Sequence, residues 1–272
     1  MKWFVAIALT VLTALPSWAD IDIQEITTPA GFNAWLVEEQ GIPFVALELR
    51  FKGGASLDRP DKRGETNLMV GLLEEGAGDL DARGFAQRLE ELAATFSYDV
   101  HDDGVSISAK FLSENRDQAV ELLRQSLISP RFDDADVERV RAQVLSGIRS
   151  DEKDPDSIAN RTFDAMAFGD HPYATSLDGT TESVNGLTRD DLVSAHQGAM
   201  AKDRVYISAA GDISADELTV LIDNLLADLP ETGRPLPGPA EITLTGGVEV
   251  VPFKTPQSVA VFGHQGLERH DP

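Results

Sequence analysis

The sequence predicts an α+β fold, a mostly antiparallel sheet with helices packed on one face. Three observations predict it. The stretch before Gly53 alternates apolar and polar residues with period two and is punctuated by glycine, the pattern of half-buried strands. A further pair of alternating segments flanks Asp102-Asp103-Gly104, a hairpin turn sequence. Between these lie segments with apolar residues at spacings of three and four, so each predicted helix has one stripe to bury against the sheet.

The elements follow in order. Residues 21–26, 33–38 and 43–51 are expected strands, separated by Ala30-Gly31 and Gln40-Gly41. In the third, Val45, Leu47, Leu49 and Phe51 share one face. From Gly64 a short helix carries Leu68, Met69, Leu72 and Leu73, and Gly76 and Gly78 end it. A second helix lies within residues 81–95, with Phe85, Leu89 and Leu92 as its stripe. Residues 97–100 and 105–111 form the hairpin, with Val105, Ile107, Ala109 and Phe111 on one side. Ser113 is the expected cap of a helix carrying Ala119, Val120, Leu122 and Leu123, which stops at Pro130. Asp133 and Asp134 open the next helix, where acidic residues suit the dipole, and Val137, Val140, Val144 and Ile148 line it as far as Pro155. Residues 157–168 form another. Thr188 caps a helix through Met200 with Asp190 and Asp191 in its first turn. A strand at 205–209 and a helix at 215–229 complete the unit.

Organisation follows from the ends of the chain and its composition. Residues 1–19 have the form of a cleavable export signal: Lys2, an apolar run from Phe4 to Leu15, and Ser17-Trp18-Ala19 before Asp20. The run is short for a membrane span, and no later stretch is long and apolar enough to be one. The expected location is the periplasm. Residues 20–229 form the expected globular domain. Residues 230–240 are rich in Pro and Gly and are the expected linker. Residues 241–272 hold two strand-like segments, 248–253 and 258–263, with no helix to cover them, the expected start of a second, truncated unit. No cysteine occurs, so stability rests on the core. The net charge of −23 favours cationic partners and argues against nucleic acid, because no Lys/Arg cluster is present.

The usual catalytic patterns are missing. Of His101, His171, His196, His264 and His270, no two stand three or four apart, so no helix presents a histidine pair to a metal. His101 is expected in a surface turn, His171 in a loop with a structural role, and His196 on a helix surface or edge. There is no Gly-x-Ser-x-Gly elbow and no phosphate-binding loop. Glu74 and Glu75 are adjacent on a helix and so do not face each other. The acidic run 151–154 lacks calcium-loop spacing.

The helix from Gly64 remains. Two ligands at i and i+4 on such a helix could hold a metal beside a carboxylate that activates water. Here those places hold Asn67, Val70 and Gly71. The Val70 and Gly71 side chains offer no lone pair, and a neutral Asn67 amide is a poor zinc ligand. The surroundings, Gly53-Gly54-Ala55-Ser56-Leu57-Asp58, Gly76-Ala77-Gly78, Asp170-His171-Pro172-Tyr173, 178–183, 187–192 and 209–213, resemble the pitrilysin/insulinase (M16) family of zinc metallopeptidases, relatives of the mitochondrial processing peptidase. On its inverted motif, His-x-x-Glu-His, the first His becomes Asn67, the Glu becomes Val70 and the second His becomes Gly71. The third ligand, a downstream Glu, falls at Gly147, within a few residues.

The resemblance implies a LuxS/metallopeptidase-like unit with a second copy to follow. It further implies a chain that binds no zinc and is not catalytic on its own. Such a chain would form a heterodimer with a zinc-bearing homologous peptidase subunit and help hold peptide substrates, basic ones by the charge. Two alternatives stand beside it: a working zinc metallopeptidase with its ligands elsewhere, and a peptide-binding scaffold without a peptidase partner.

Overall fold

The structure, a computed structural model, describes residues 22–267. The expected export signal, its cleavage site and His270 lie outside the described residues.

The frame is a sheet of six strands: β1 (Gln24–Thr27), β2 (Asn33–Glu38), β3 (Phe44–Lys52), β6 (Thr95–His101), β7 (Gly104–Leu112) and β8 (Val205–Gly211). Their order is β1-β2-β8-β3-β7-β6. Every neighbouring pair is antiparallel except β2 with β8. A two-stranded ribbon, β4 (Gly76–Ala77) with β5 (Leu80–Asp81), stands apart. The helices are α1 (Glu65–Val70), α2 (Ala82–Glu91), α3 (Arg116–Ile128), α4 (Asp134–Asp151), α5 (Pro155–Phe168), α6 (Thr181–Asn185), α7 (Arg189–Ala199) and α8 (Ala215–Leu226).

One face of the sheet makes the core. Leu36, Val45, Leu47, Leu49, Phe51, Ile107 and Phe111 are buried in one cluster with Phe85 of α2, Leu123 of α3 and Ile222 of α8. Each such side chain contributes about 1.5–3 kcal/mol of burial. The alternate residues point the other way, and there Trp35 is 60% and Tyr206 61% exposed. Period two therefore sorts the strands into a covered and an uncovered face, as the alternation predicts.

β8 decides the topology. It comes from late in the chain yet lies between β2 and β3, which are close in sequence. Residues 39–43 must therefore cross one intervening strand, a span of roughly 10 Å that five extended residues, with a reach of about 17 Å, can make. The crossing is tied down where the Glu39 N–H donates to the Gly211 carbonyl (2.9 Å) and the Asp212 N–H to that of Phe44 (2.9 Å). Gly211 passes beneath with φ +126°, and an added Cβ would collide with the Phe44 carbonyl.

Several expectations are corrected. Ser113 does not cap α3; it lies in a single 3-10 turn, and Asn115 precedes the helix without a capping side chain. Pro155 does not end α4, which stops at Asp151. Pro155 is instead the first residue of α5, where its missing N–H costs nothing, and Asp154 caps that helix through the Ser157 N–H (2.9 Å). Helix α6 was not foreseen, although Thr180 and Ser183 form a capping box for it. His196 is buried rather than on a helix surface, and its Nε2 meets the Leu127 carbonyl at 2.8 Å. Burial pushes its pKa down. Segments 248–253 and 258–263 are not strands: the described residues 241–267 form no regular element. Val248 and Phe262 are exposed there, with no neighbouring strand to take up the backbone hydrogen bonds that a sheet requires.

Candidate functional site

α1 is short and begins abruptly, so its start needs support from outside. Asp58 supplies it by accepting from the N–H groups of Gly64 (2.7 Å) and Thr66 (3.0 Å). Burial raises the Asp58 pKa, opposed by the Thr66 hydrogen bond and the Arg63 guanidinium. Gly64 has φ +90°, and a Cβ there would strike the Asp178 carbonyl. Leu68, Met69, Leu72 and Leu73 are all buried, but the helix stops at Val70, so Leu72 and Leu73 lie in the turns that follow it and Gly76 and Gly78 do not end it.

The first residue of the helix, Glu65, is fully buried and paired with two arginines. Arg59 Nη2 lies 2.6 Å and Arg234 Nη1 2.7 Å from its two oxygens. Arg59 also reaches Asp191 (2.6 Å), which Lys62 contacts at 3.0 Å. Burial alone would raise the Asp191 pKa, but hydrogen bonds from Thr188, Lys62 and Arg59 outweigh it and hold this carboxyl well below the usual range.

The four motif positions lie as follows. Asn67 Nδ2 donates to Asp178 Oδ1 at 2.8 Å. Val70 is buried in the core. Gly71 caps the helix end, and an added Cβ would sit 3.3 Å from Val140 Cγ1 of α4. Gly147 is seven residues further along α4, about 10 Å by helix rise, and nothing lies within 4 Å of an added Cβ there. Three of the positions are thus together on α1, and the fourth faces open space from the adjoining helix.

Asp178 was missed by sequence reasoning. It is 111 residues from Asn67 and sits in a loop, so no spacing connects them. Burial raises its pKa, Asp151 raises it further, and the Asn67 hydrogen bond opposes both.

The residues do not fit a zinc ion. Zinc takes about three protein ligands from Cys, His or carboxylates, and the four positions offer one amide, a valine and two glycines. Among the described residues no group of three or more His, Cys, Asp or Glu is arranged to hold a metal. His101 is exposed at the end of β6, His171 packs on Tyr173 with ring centroids 4.4 Å apart, and His196 is sealed in the core. No helix among the described residues is long and apolar enough to cross a membrane.

Comparison with known proteins bears on what this arrangement is. Residues 35–181 match the family model described as insulinase (peptidase family M16), and residues 186–272 match the peptidase M16 inactive domain. The second match begins before β8, so both spans contribute strands to one sheet. The non-peptidase homolog YmxG of Helicobacter pylori is 31% identical over 227 residues, covering 83% of this chain and 52% of the relative. A probable mitochondrial-processing peptidase subunit beta of Arabidopsis thaliana is 21% identical over 250 residues, covering 90% and 47%. A crystal structure of a peptidase M16 inactive domain from Pseudomonas fluorescens superimposes with a TM-score of 0.75 at 28% identity, covering 81% of this chain and 53% of that one. The chain spans about half the length of the curated relatives it matches. A family model covering more than half of the sequence, and a relative above 30% identity over most of it, agree with the sheet and the Gly64 helix: the chain belongs to the insulinase family, peptidase family M16.

Proposed function

We propose that this chain is a non-catalytic member of its family that works in the periplasm beside a zinc-bearing homologous peptidase subunit and helps to hold extended peptides for cleavage there. The observation that carries the reading is the donor set: Asn67, Val70, Gly71 and Gly147 stand where the motif requires two His and two Glu. With Asn67, Val70 and Gly71 in place of the ligands and the water-activating carboxylate, the helix offers neither the motif's metal ligands nor its general base. The printed name of the Helicobacter relative, a non-peptidase homolog, points the same way.

Substrate holding follows from what the fold keeps. β6 is an edge strand, paired on one side by β7, and an edge offers main-chain hydrogen bonds to an extended peptide. The net charge of −23 draws basic segments toward it.

The test is zinc content by mass spectrometry together with cleavage of a basic peptide library, for the chain alone and mixed with its zinc-bearing homologue. We expect no stoichiometric zinc and no turnover alone, and faster cleavage by the homologue when the chain is added. Stoichiometric zinc with turnover by the chain alone overturns the proposal. Purification from the native host with no zinc-bearing homologue attached would favour a free scaffold instead.

A further inference from the structure

We propose that residues 230–238 are a strap locked onto α1 by Arg234, so that whatever follows them is held in fixed register with the helix of the degenerate motif. The composition alone would make this stretch a flexible linker. Its hydrogen bonds say otherwise. The Lys202 N–H donates to the Pro230 carbonyl (2.9 Å), and the Arg234 N–H donates to that of Gly198 (2.8 Å). The Gly233 N–H reaches Asp203 Oδ1 at 3.3 Å, and the buried Arg204 donates to the Arg234 carbonyl at 2.8 Å.

The Arg234 side chain is the bolt. Its Nη1 donates to the Leu57 carbonyl and to Glu65 Oε1, both at 2.7 Å, and its Nη2 donates to Ser194 Oγ at 3.1 Å. One planar guanidinium thus joins the turn before α1, α1 itself and α7, using the fork that suits arginine and not lysine. Glu65, its anionic partner, is fully buried and cannot exchange this ion pair for water without opening the helix start. Two glycines make the room. A Cβ on Gly198 would lie 3.2 Å from Arg234, and one on Gly233 would run into the Arg204 side chain and the Gly198 carbonyl. Further on, Leu236 lies over Gly53, and His171 Nε2 meets the Gly238 carbonyl at 3.1 Å.

Hydrogen exchange with mass spectrometry on the full chain tests this. Within the peptide spanning 231–238, exchange of the Gly233 and Arg234 amides, which donate to Asp203 and Gly198, should be far slower than in an unstructured peptide of the same sequence. Arg234→Gln should speed it by about tenfold or more, since charge-assisted hydrogen bonds are lost, while peptides from β3 and β7 stay unchanged. Arg234→Lys, which keeps the charge without the fork, should fall between, and it carries the comparison if Arg234→Gln does not fold. A wild-type strap exchanging at the unstructured rate overturns the proposal. So does a variant strap that exchanges as slowly as the wild type.

Discussion

Glu65→Gln is the sharpest test of how α1 is held. The substitution keeps shape and removes charge. In the wild type, the buried carboxylate accepts from Arg59 and Arg234 side chains at 2.6 and 2.7 Å and from the Arg59 N–H at 3.0 Å. Hydrogen bonds to charged groups contribute about 1.5–3 kcal/mol each. That figure must be reduced here, because the Arg59 side chain is 39% exposed and keeps Asp191 as a partner. Gln also retains one acceptor oxygen. The expected net loss is about 2–3 kcal/mol, most of it at the Arg234 side, where the guanidinium stays partly buried beside a neutral amide. At about 2–4 °C per kcal/mol for a domain of this size, the melting temperature should fall by roughly 5–10 °C. Urea denaturation should show a lower midpoint with an unchanged slope. A loss below about 0.5 kcal/mol, the range of ordinary surface substitutions, would refute the idea that this network secures the helix.

Two further predictions concern Gly147 and Asp178, the partner of Asn67. Gly147→Ala should stabilise the protein by about 0.5–1 kcal/mol, because α4 gains a better helix former and the new methyl meets nothing; a lower melting temperature would show that the space is needed. Asp178→Asn should also stabilise at neutral pH. The folded pKa of Asp178 is raised by burial and by Asp151, so the folded state resists its ionisation above the unfolded carboxylate range, whereas the neutral amide still accepts from Asn67. The gain should shrink as pH falls through the carboxylate range, where the wild-type aspartate is protonated too. A gain independent of pH would contradict this account.

Legibility in the sequence tracked the distance over which each cause acts. Val45 to Phe51 and Val105 to Phe111 alternate because one face of each strand is buried, and both strands are paired along nine residues. The Thr188 cap was legible for the same reason: donor and acceptor lie within one turn. Pro155 shows the limit of such local signals, since proline is as acceptable at a helix start as after a helix end. His196 looked exposed because its burial depends on the Leu127 carbonyl and Phe132, which come from far along the chain. On α1, the chemistry of Asn67, Val70 and Gly71, one amide and two side chains without a lone pair, was readable residue by residue. The Asn67–Asp178 hydrogen bond and the Arg234–Glu65 ion pair were not, because their partners are 111 and 169 residues apart.

By itself the sequence determined the periodicity of each segment and the family resemblance, which are properties of neighbouring residues or of residue chemistry. The tertiary structure alone decided that β8 enters between β2 and β3, that 248–253 and 258–263 do not form strands, and that a Pro/Gly-rich stretch is bolted to α1. Strand pairing and buried ion pairs need a partner brought from elsewhere in the chain, and only folding supplies it.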